Sequence, residues 1–294
     1  MARRARPGPI VIIGSINMDL VCRTRTLPRA GETVLGSEFV TIPGGKGANQ
    51  AVAAARIADG RADVHMIGRV GDDEFGRELL AGLRRNGVGV KRAAVTKNVA
   101  SGVAIILVDR RGENSIVVTP GANAKLTSAD IDAAAALIRS ASVVVMQLEI
   151  PLATVRHALK LCRRLGVFTI LDPAPAPAKP MRFDADLITP NQSEAASVRR
   201  AGARAIVLKL GSRGCEWIDA EGSRRVKPFK VNVVDSTAAG DAFTGALAVG
   251  HALKMPMLDT LRIANAAGAL CCTKLGAQLS LPTRRAVEQL LAQS

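Results

Sequence analysis

Residues 234–243, Val-Asp-Ser-Thr-Ala-Ala-Gly-Asp-Ala-Phe, open a long helical pattern that runs to residue 252. Small side chains at Ala238, Ala239 and Gly240 let backbone N–H groups point at a ligand from a helix N-terminus, where the helix dipole favours phosphate or developing negative charge. Asp241 falls in the first turn, where a carboxylate beside bound phosphate can accept the proton of an attacking hydroxyl. The same spacing also suits Asp235 and Asp241 as ordinary helix-start acids. A second Gly-rich stretch, Pro43-Gly44-Gly45-Lys46-Gly47-Ala48-Asn49-Gln50, permits close backbone approach and offers Lys46 and Asn49 as donors to hydroxyls or anions. Alternatively it is a glycine loop entering a helix. Asn191-x-x-Glu194 fits a capping box, which is a structural pattern first. Lys209-Leu210-Gly211-Ser212-Arg213-Gly214 reads as a tight turn, and as a nucleotide wall only by context. No phosphate loop of the G-x-x-x-x-G-K-[ST] type, no dinucleotide fingerprint, no G-x-S-x-G and no H-E-x-x-H occurs.

These residues need elements to hold them. Short apolar runs at 10–14, 63–68, 143–147, 167–171, 187–189 and 205–210, bounded by Gly, Pro or Asp, predict buried strands. Between them, 47–57, 73–86, 128–139 and 152–165 carry apolar residues at helical spacing, with Asp73 and Ser128 as helix-start residues. Strand–helix alternation predicts an α/β fold: a doubly wound three-layer sandwich around a mainly parallel sheet. Two stretches break the rhythm. Residues 19–43 alternate polar and apolar around Pro28 and Gly31, and 101–108 with 114–118 read as a hairpin about Asp109–Gly112. Strands without intervening helices suit a small separate sheet, serving as a lid or as an edge extension. The last third is helical, at 239–252, 257–273 and 283–293. With no repeat and no linker, residues 10–294 are expected to form one domain after a tail at 1–9, with the strands of the small sheet at about 20–43 and 95–118.

Composition narrows the classes of function. The chain has 294 residues, 48% of them hydrophobic and only 2% aromatic, which argues against stacking bases on aromatic platforms. Its net charge is +15, and 29 of the 40 basic residues are Arg, dispersed rather than gathered on one element, so no nucleic-acid role is expected. The field still favours anionic ligands such as nucleotides. Five scattered cysteines without a C-x-x-C and three histidines argue against structural zinc and for reduced thiols in the cytoplasm. No apolar run approaches the ~18 residues of a membrane span, and the run after the basic start is too short for a signal peptide.

The order and spacing of the motifs resemble the ribokinase branch of the ribokinase-like sugar kinases. The resemblance rests on Gly14-Ser-Ile-Asn17-Met-Asp19, GGKGANQAVAAAR at 44–56, Gln147-Leu-Glu149, Asp172-Pro-Ala-Pro, TPNQSE at 189–194, KLGSRG at 209–214, DSTAAGD at 235–241 and Lys274-Leu-Gly-Ala-Gln278. It runs from about residue 10 to residue 291. What it implies is an α/β sandwich with a β-sheet lid that also forms a homodimer contact, and transfer of phosphate from ATP to the 5-hydroxyl of D-ribose. Asn17, Asp19, Gly45, Lys46, Gly47, Asn49 and Glu149 would surround the sugar, with Asp241 as base. The N–H groups of Ala238, Ala239 and Gly240 would form the anion hole. Asn191, Lys209, Gly211, Ser212, Gly214, Gly240 and Asn265 would line the ATP site, and Glu194 would organise Mg2+. A K+ site would use Asp235, Thr237, Cys271, Lys274, Gly276 and Ser280, partly through backbone oxygens.

Three features depart from that family pattern. Only residues 195–208 separate Glu194 from Lys209, about one helix and its connection short. Cys271 and Cys272 replace small apolar residues, a mild change because free Cys packs as a small hydrophobe. The Arg-rich start has no counterpart. Two alternatives remain on the same fold: a kinase for deoxyribose, another sugar or a nucleoside, and a catalytically weak sugar- or nucleotide-binding protein. Nucleic-acid binding would show itself as steeply salt-dependent retention on DNA.

Overall fold

The structure, a computed structural model, describes residues 6–198 and 202–293. In chain order its strands are β1 (Ile10–Ile13), β2 (Asn17–Thr24), β3 (Gly36–Gly44), β4 (Val64–Gly71), β5 (Val88–Thr96), β6 (Gly102–Val108), β7 (Asn114–Thr119), β8 (Val143–Met146), β9 (Thr169–Leu171), β10 (Leu187–Ile188), β11 (Ala205–Lys209), β12 (Cys215–Ile218) and β13 (Ser223–Val226). The helices are α1 (Lys46–Ala58), α2 (Glu74–Arg85), α3 (Ser128–Ala133), α4 (Ala135–Ser140), α5 (Leu152–Leu165), α6 (Gln192–Ala195), α7 (Ala239–Ala252), α8 (Met257–Cys271), α9 (Ala277–Ser280) and α10 (Arg284–Ala292).

Nine strands form one sheet in the order β13-β12-β11-β10-β9-β8-β1-β4-β5, parallel from β5 to β11 and antiparallel at β12 and β13. β1 is buried along its whole length, and its residues alternate between two cores. Ile10 and Ile12 join the apolar faces of α1, α2, α7 and α8, while Val11 and Ile13 join those of α3, α4 and α5. Apolar side chains on both strand faces therefore require helices on both sides, which gives the three layers. The chain leaves β1 to one side through β4 and returns to its other side through β8, so the strand order reverses there. The carboxyl ends of β1 and β8 flank the crevice where α/β sheets take their ligands.

A second sheet of four strands has the order β3-β2-β6-β7, with β2 antiparallel to β3, parallel to β6, and β6 antiparallel to β7. The expected hairpin about 109–112 is present: Asp109 N donates to Glu113 O at 2.9 Å, and Asp109 Oδ1 accepts from Arg111 N and Glu113 N.

Several local expectations need correction. Residues 95–96 end β5 in the main sheet instead of starting the second one. The helical stretch 128–139 is broken at Ala134, whose φ of −98° and ψ of 5° leave the helical range. Its cap is Thr127, not Ser128: Thr127 and Asp130 form a reciprocal capping box. Asp73 caps α2 as expected, accepting from Gly76 N at 2.8 Å. In the shortened 195–208 segment, Ala195 ends the single turn of α6 and β11 begins at Ala205; residues 199–201 between them lie outside the described residues, as do residues 1–5 of the N-terminal stretch. Arg6 is described, and it pairs with Asp63 at 2.9 Å.

Candidate active site

The polar pocket starts at the turn after β1. Gly45 caps α1 at φ +85°, and a Cβ there would fall 2.7 Å from Asn17 N. Gly47 packs directly on the β1–β2 turn: a Cβ would lie 2.7 Å from both Gly14 C and Ser15 N. The glycines thus let α1 begin against the turn that carries Asn17 and Asp19. Ser15 Oγ donates to Glu149 Oε2 at 2.5 Å, and the same carboxylate oxygen accepts from Lys46 N at 3.1 Å. Asn17 Oδ1 accepts from Asn123 Nδ2 at 2.7 Å, which orients the Asn17 amide.

Asp241, 6% exposed, stands in the first turn of α7. Its Oδ2 accepts from Asn49 Nδ2 at 3.0 Å, and its Oδ1 accepts from Gln50 Nε2 at 2.9 Å. Asn49 Oδ1 is buried without a hydrogen-bond partner among the described residues, an acceptor suited to a ligand hydroxyl. The electrostatics follow from burying carboxylates close to one another. Burial, reinforced by Glu149 and Asp241, raises Asp19 to about 7. Burial raises Asp241 to about 6, with Lys46 opposing the shift and Asp172 adding to it. For Lys46 burial favours the neutral amine, but Asp241, Glu149, Asp172 and Glu194 together keep the ammonium well above its ordinary range.

On the other side of the α7 N-terminus lies a mostly apolar cleft of about 570 Å³. Lys209, Gly211, Ser212, Gly214, Gly240 and Asn265 are among the residues that line it. Ala238, the α7 N-cap, takes the left-handed φ of +61°, unusual for a residue with a Cβ. Asn265 Nδ2 donates to Lys227 O at 3.1 Å, fixing the floor. Asn191 does not line the cleft. It forms the capping box with Glu194, whose Oε2 accepts from Asn191 N at 2.8 Å and whose Oε1 accepts from Asn191 Nδ2 at 2.9 Å. The structural reading of that motif therefore holds, with Glu194 buried and close enough to Lys46 to act on its charge.

Hydrogen bonds bring Asp235, Thr237, Cys271, Gly276 and Ser280 together. Asp235 Oδ1 accepts from Thr237 N and Oγ1 at 2.9 and 2.7 Å, and its Oδ2 accepts from Gly276 N at 2.9 Å. Burial disfavours the Asp235 charge, but these bonds prevail and hold the carboxyl below its usual range. Cys271 Sγ lies 2.9 Å from Ser280 Oγ and donates to Thr237 O at 3.4 Å. Lys274 is the exception, exposed at the loop surface.

Sequence reasoning overlooked Ser15, Gln50, Asn123, Gln147 and Asp172 as site residues, although all but Asn123 stand inside or beside the motifs quoted. It also overlooked Pro228, Phe229, Val231 and Val233, which wall the apolar cleft. The signal for these was the alternation of Phe229, Val231 and Val233 with Lys230 and Asn232 just before the DSTAAGD motif.

A helix N-terminus set between a cluster of buried polar side chains and a cleft of about 570 Å³ is an arrangement that suits a small-molecule kinase. The profile of pfkB family carbohydrate kinases matches residues 9–284, and the chain belongs to that family. It is 41% identical to the ribokinase of Bacillus subtilis, over 96% of this chain and 99% of that protein. Among solved structures, the ribokinase of Thermotoga maritima superposes with a TM-score of 0.88 at 31% identity, covering 97% of this chain and 99% of that one. The Arabidopsis thaliana ribokinase complexed with ribose and ATP gives a TM-score of 0.86 at 29% identity, over 98% and 100% of the two chains.

Proposed function

We propose that this carbohydrate kinase phosphorylates D-ribose at its 5-hydroxyl, using ATP. The observation that carries the reading is the Asp241 carboxylate, held by Asn49 and Gln50 at the junction of the polar pocket and the apolar cleft. Ribose would be met by Asn17, Asp19, Lys46, Asn49 and Glu149, beside Gly45 and Gly47, and the nucleotide by the cleft walls, with Asn191 bracing the neighbouring Glu194. The 5-oxygen attacks the γ-phosphorus while the bond to the β-phosphate oxygen breaks. Asp241 takes the hydroxyl proton, and ADP leaves. The peptide N–H groups of Ala238, Ala239 and Gly240 stabilise the charge on the transferring group.

Magnesium asks little of the protein, because nucleotide phosphates and water supply most of its ligands. The buried Glu194 carboxylate fits that need, although no cluster of three or more metal-type ligands occurs among the described residues. The chemistry it supplies when bound is charge neutralisation at the β- and γ-phosphates. Potassium would be held by oxygens of Asp235, Thr237, Gly276 and Ser280, a hard donor set, with Lys274 able to contribute only its carbonyl and Cys271 beside Ser280. Exchanging potassium for a bulky organic cation is expected to depress turnover, and an unchanged rate would remove this loop from the reaction.

The second sheet is read as the lid, and as a homodimer contact. Leu20, Ile105 and Val117 form one registered row, and Phe39 lies on the same face; Phe39, Ile105 and Val117 are exposed. No helix among the described residues is long and apolar enough to cross a membrane. The decisive assay is ADP release from magnesium-ATP in potassium buffer, with ribose, 2-deoxyribose, fructose and adenosine side by side. Preference for ribose supports the assignment. Preference for another acceptor reassigns the polar pocket, and silence from folded protein leaves a binding protein.

A further inference from the structure

Lys209 closes β11 at the wall of the apolar cleft, its side chain 13% exposed and its Nζ donating to Asp172 Oδ1 at 2.8 Å. The Asp172 side chain is 2% exposed. A Cβ placed on Gly240 would come within 3.4 Å of Lys209 Nζ, so the ammonium rests against the amino end of α7. From Asp172 the contacts continue inward. Asp172 Oδ2 accepts from Gln50 Nε2 at 2.9 Å, and the same nitrogen donates to Asp241 Oδ1 at 2.9 Å. Gln50 Oε1 accepts from Gln147 Nε2 at 2.6 Å. A nitrogen placed between two carboxylates must be the NH2 group, and with its oxygen also bonded the Gln50 amide has one orientation. Lys209, Asp172, Gln50 and Asp241 therefore form an unbroken chain from the nucleotide side to the sugar side.

An ion pair buried to this degree is a weak source of stability, because desolvation offsets the attraction. A ligand explains it better. A phosphoryl group arriving at the α7 N-terminus gives the ammonium a second anionic partner in a site where charge counts for more than in water. We infer that Lys209 is the nucleotide-side cation that meets the transferring phosphoryl group, and that Asp172 and Gln50 are positioning residues which hold Lys209 and the Asp241 carboxylate in one frame. The inference rests on the kinase reading above and adds a division of labour: Lys46 serves the sugar side, Lys209 the phosphate side.

The test uses the full chain with Lys209→Met, Lys209→Gln and Asp172→Asn. Lys209→Gln keeps a hydrogen-bond donor for Asp172 while removing the charge, so it remains informative if Lys209→Met fails to fold. Both neutral variants are expected to lower kcat by about tenfold or more with the KM for the sugar nearly unchanged. Both should also weaken binding of a non-hydrolysable ATP analogue, measured by calorimetry, by roughly fivefold. In Asp172→Asn one negative neighbour of Asp241 is gone, while Lys46, Asn49 and Gln50 still face that carboxylate and Asp19 stays near. The acidic limb of its kcat/KM profile should move to lower pH, a change that loss of packing alone would not produce. Wild-type kcat and analogue affinity in Lys209→Gln would overturn the role of Lys209, and an unmoved acidic limb would overturn that of Asp172. A wild-type chain inert toward every sugar would instead sink the kinase reading, with the analogue titration still deciding on Lys209.

Discussion

At the scale of single residues, the two buried carboxylates carry the sharpest expectations. Asp241→Asn keeps an oxygen to accept from Gln50, and a turned Asn49 amide can accept from the new NH2 through its unpartnered Oδ1, but the proton acceptor is gone, so substrate binding should survive while kcat falls by about 10²–10⁴-fold. Single-turnover kinetics with separate binding titrations would show it, and near-normal turnover would strip Asp241 of the base role. Because burial lifts Asp241 to about 6, activity should decline below that pH as the carboxylate takes up a proton. Asp19 makes the complementary point about stability. Its folded-state value of about 7 lies above the ordinary 3.8, so the folded chain binds the extra proton and its stability falls as pH rises between those values. Asp19→Asn abolishes this titration. The ligand-free variant should melt above wild type at pH 8 and level with it near pH 4, whereas an equal gap at both would point to packing instead. These residues were legible because Asn17, Asp19, Lys46 and Asp241 sit in recognisable motifs. Gln50 and Asp172 were harder: a buried glutamine on α1 is indistinguishable in sequence from a solvated one until α7 and β9 are brought against it.

At the scale of elements, the amino end of α1 is the tightest junction. A methyl group at Gly47 has nowhere to go, since its nearest neighbours are the backbone atoms of Gly14 and Ser15. Gly47→Ala should therefore cost roughly 1–3 kcal/mol, read as a lower denaturant midpoint at constant slope, and should weaken sugar binding as the β1–β2 turn shifts. Elements buried on both faces, such as β1 and β8, were plain from their apolar runs. Those whose pattern depends on partners were not. β5 mixes Val88 and Val90 with Lys91 and Arg92, and β12–β13 pairs Glu216 with Arg225 across an edge hairpin, so neither stands out from loop. The break at Ala134 is invisible in composition, because 128–139 remains amphipathic across it.

At the scale of the whole molecule, the exposed row of Ile105 and Val117 asks for a partner. On the proposal that this face is a homodimer contact, Ile105→Lys with Val117→Lys should lower the solution mass measured by light scattering to the 30.7 kDa of one chain. A monomeric wild type would dismiss the contact. Three-layer architecture could be read from strand–helix alternation, but the path of the second sheet could not, because the parallel pairing of β2 with β6 joins segments far apart in sequence. Only Gly14, Ser15 and Ile16 separate β2 of that sheet from β1 at the centre of the main one. Asn17 and Asp19 are the first and third residues of β2, so the residues proposed to inspect the sugar and the sheet proposed to cover it share a single continuous strand. Neither can be inherited or engineered as a separate cassette: a graft that changes which sugar is admitted also rewrites how its cover is hung.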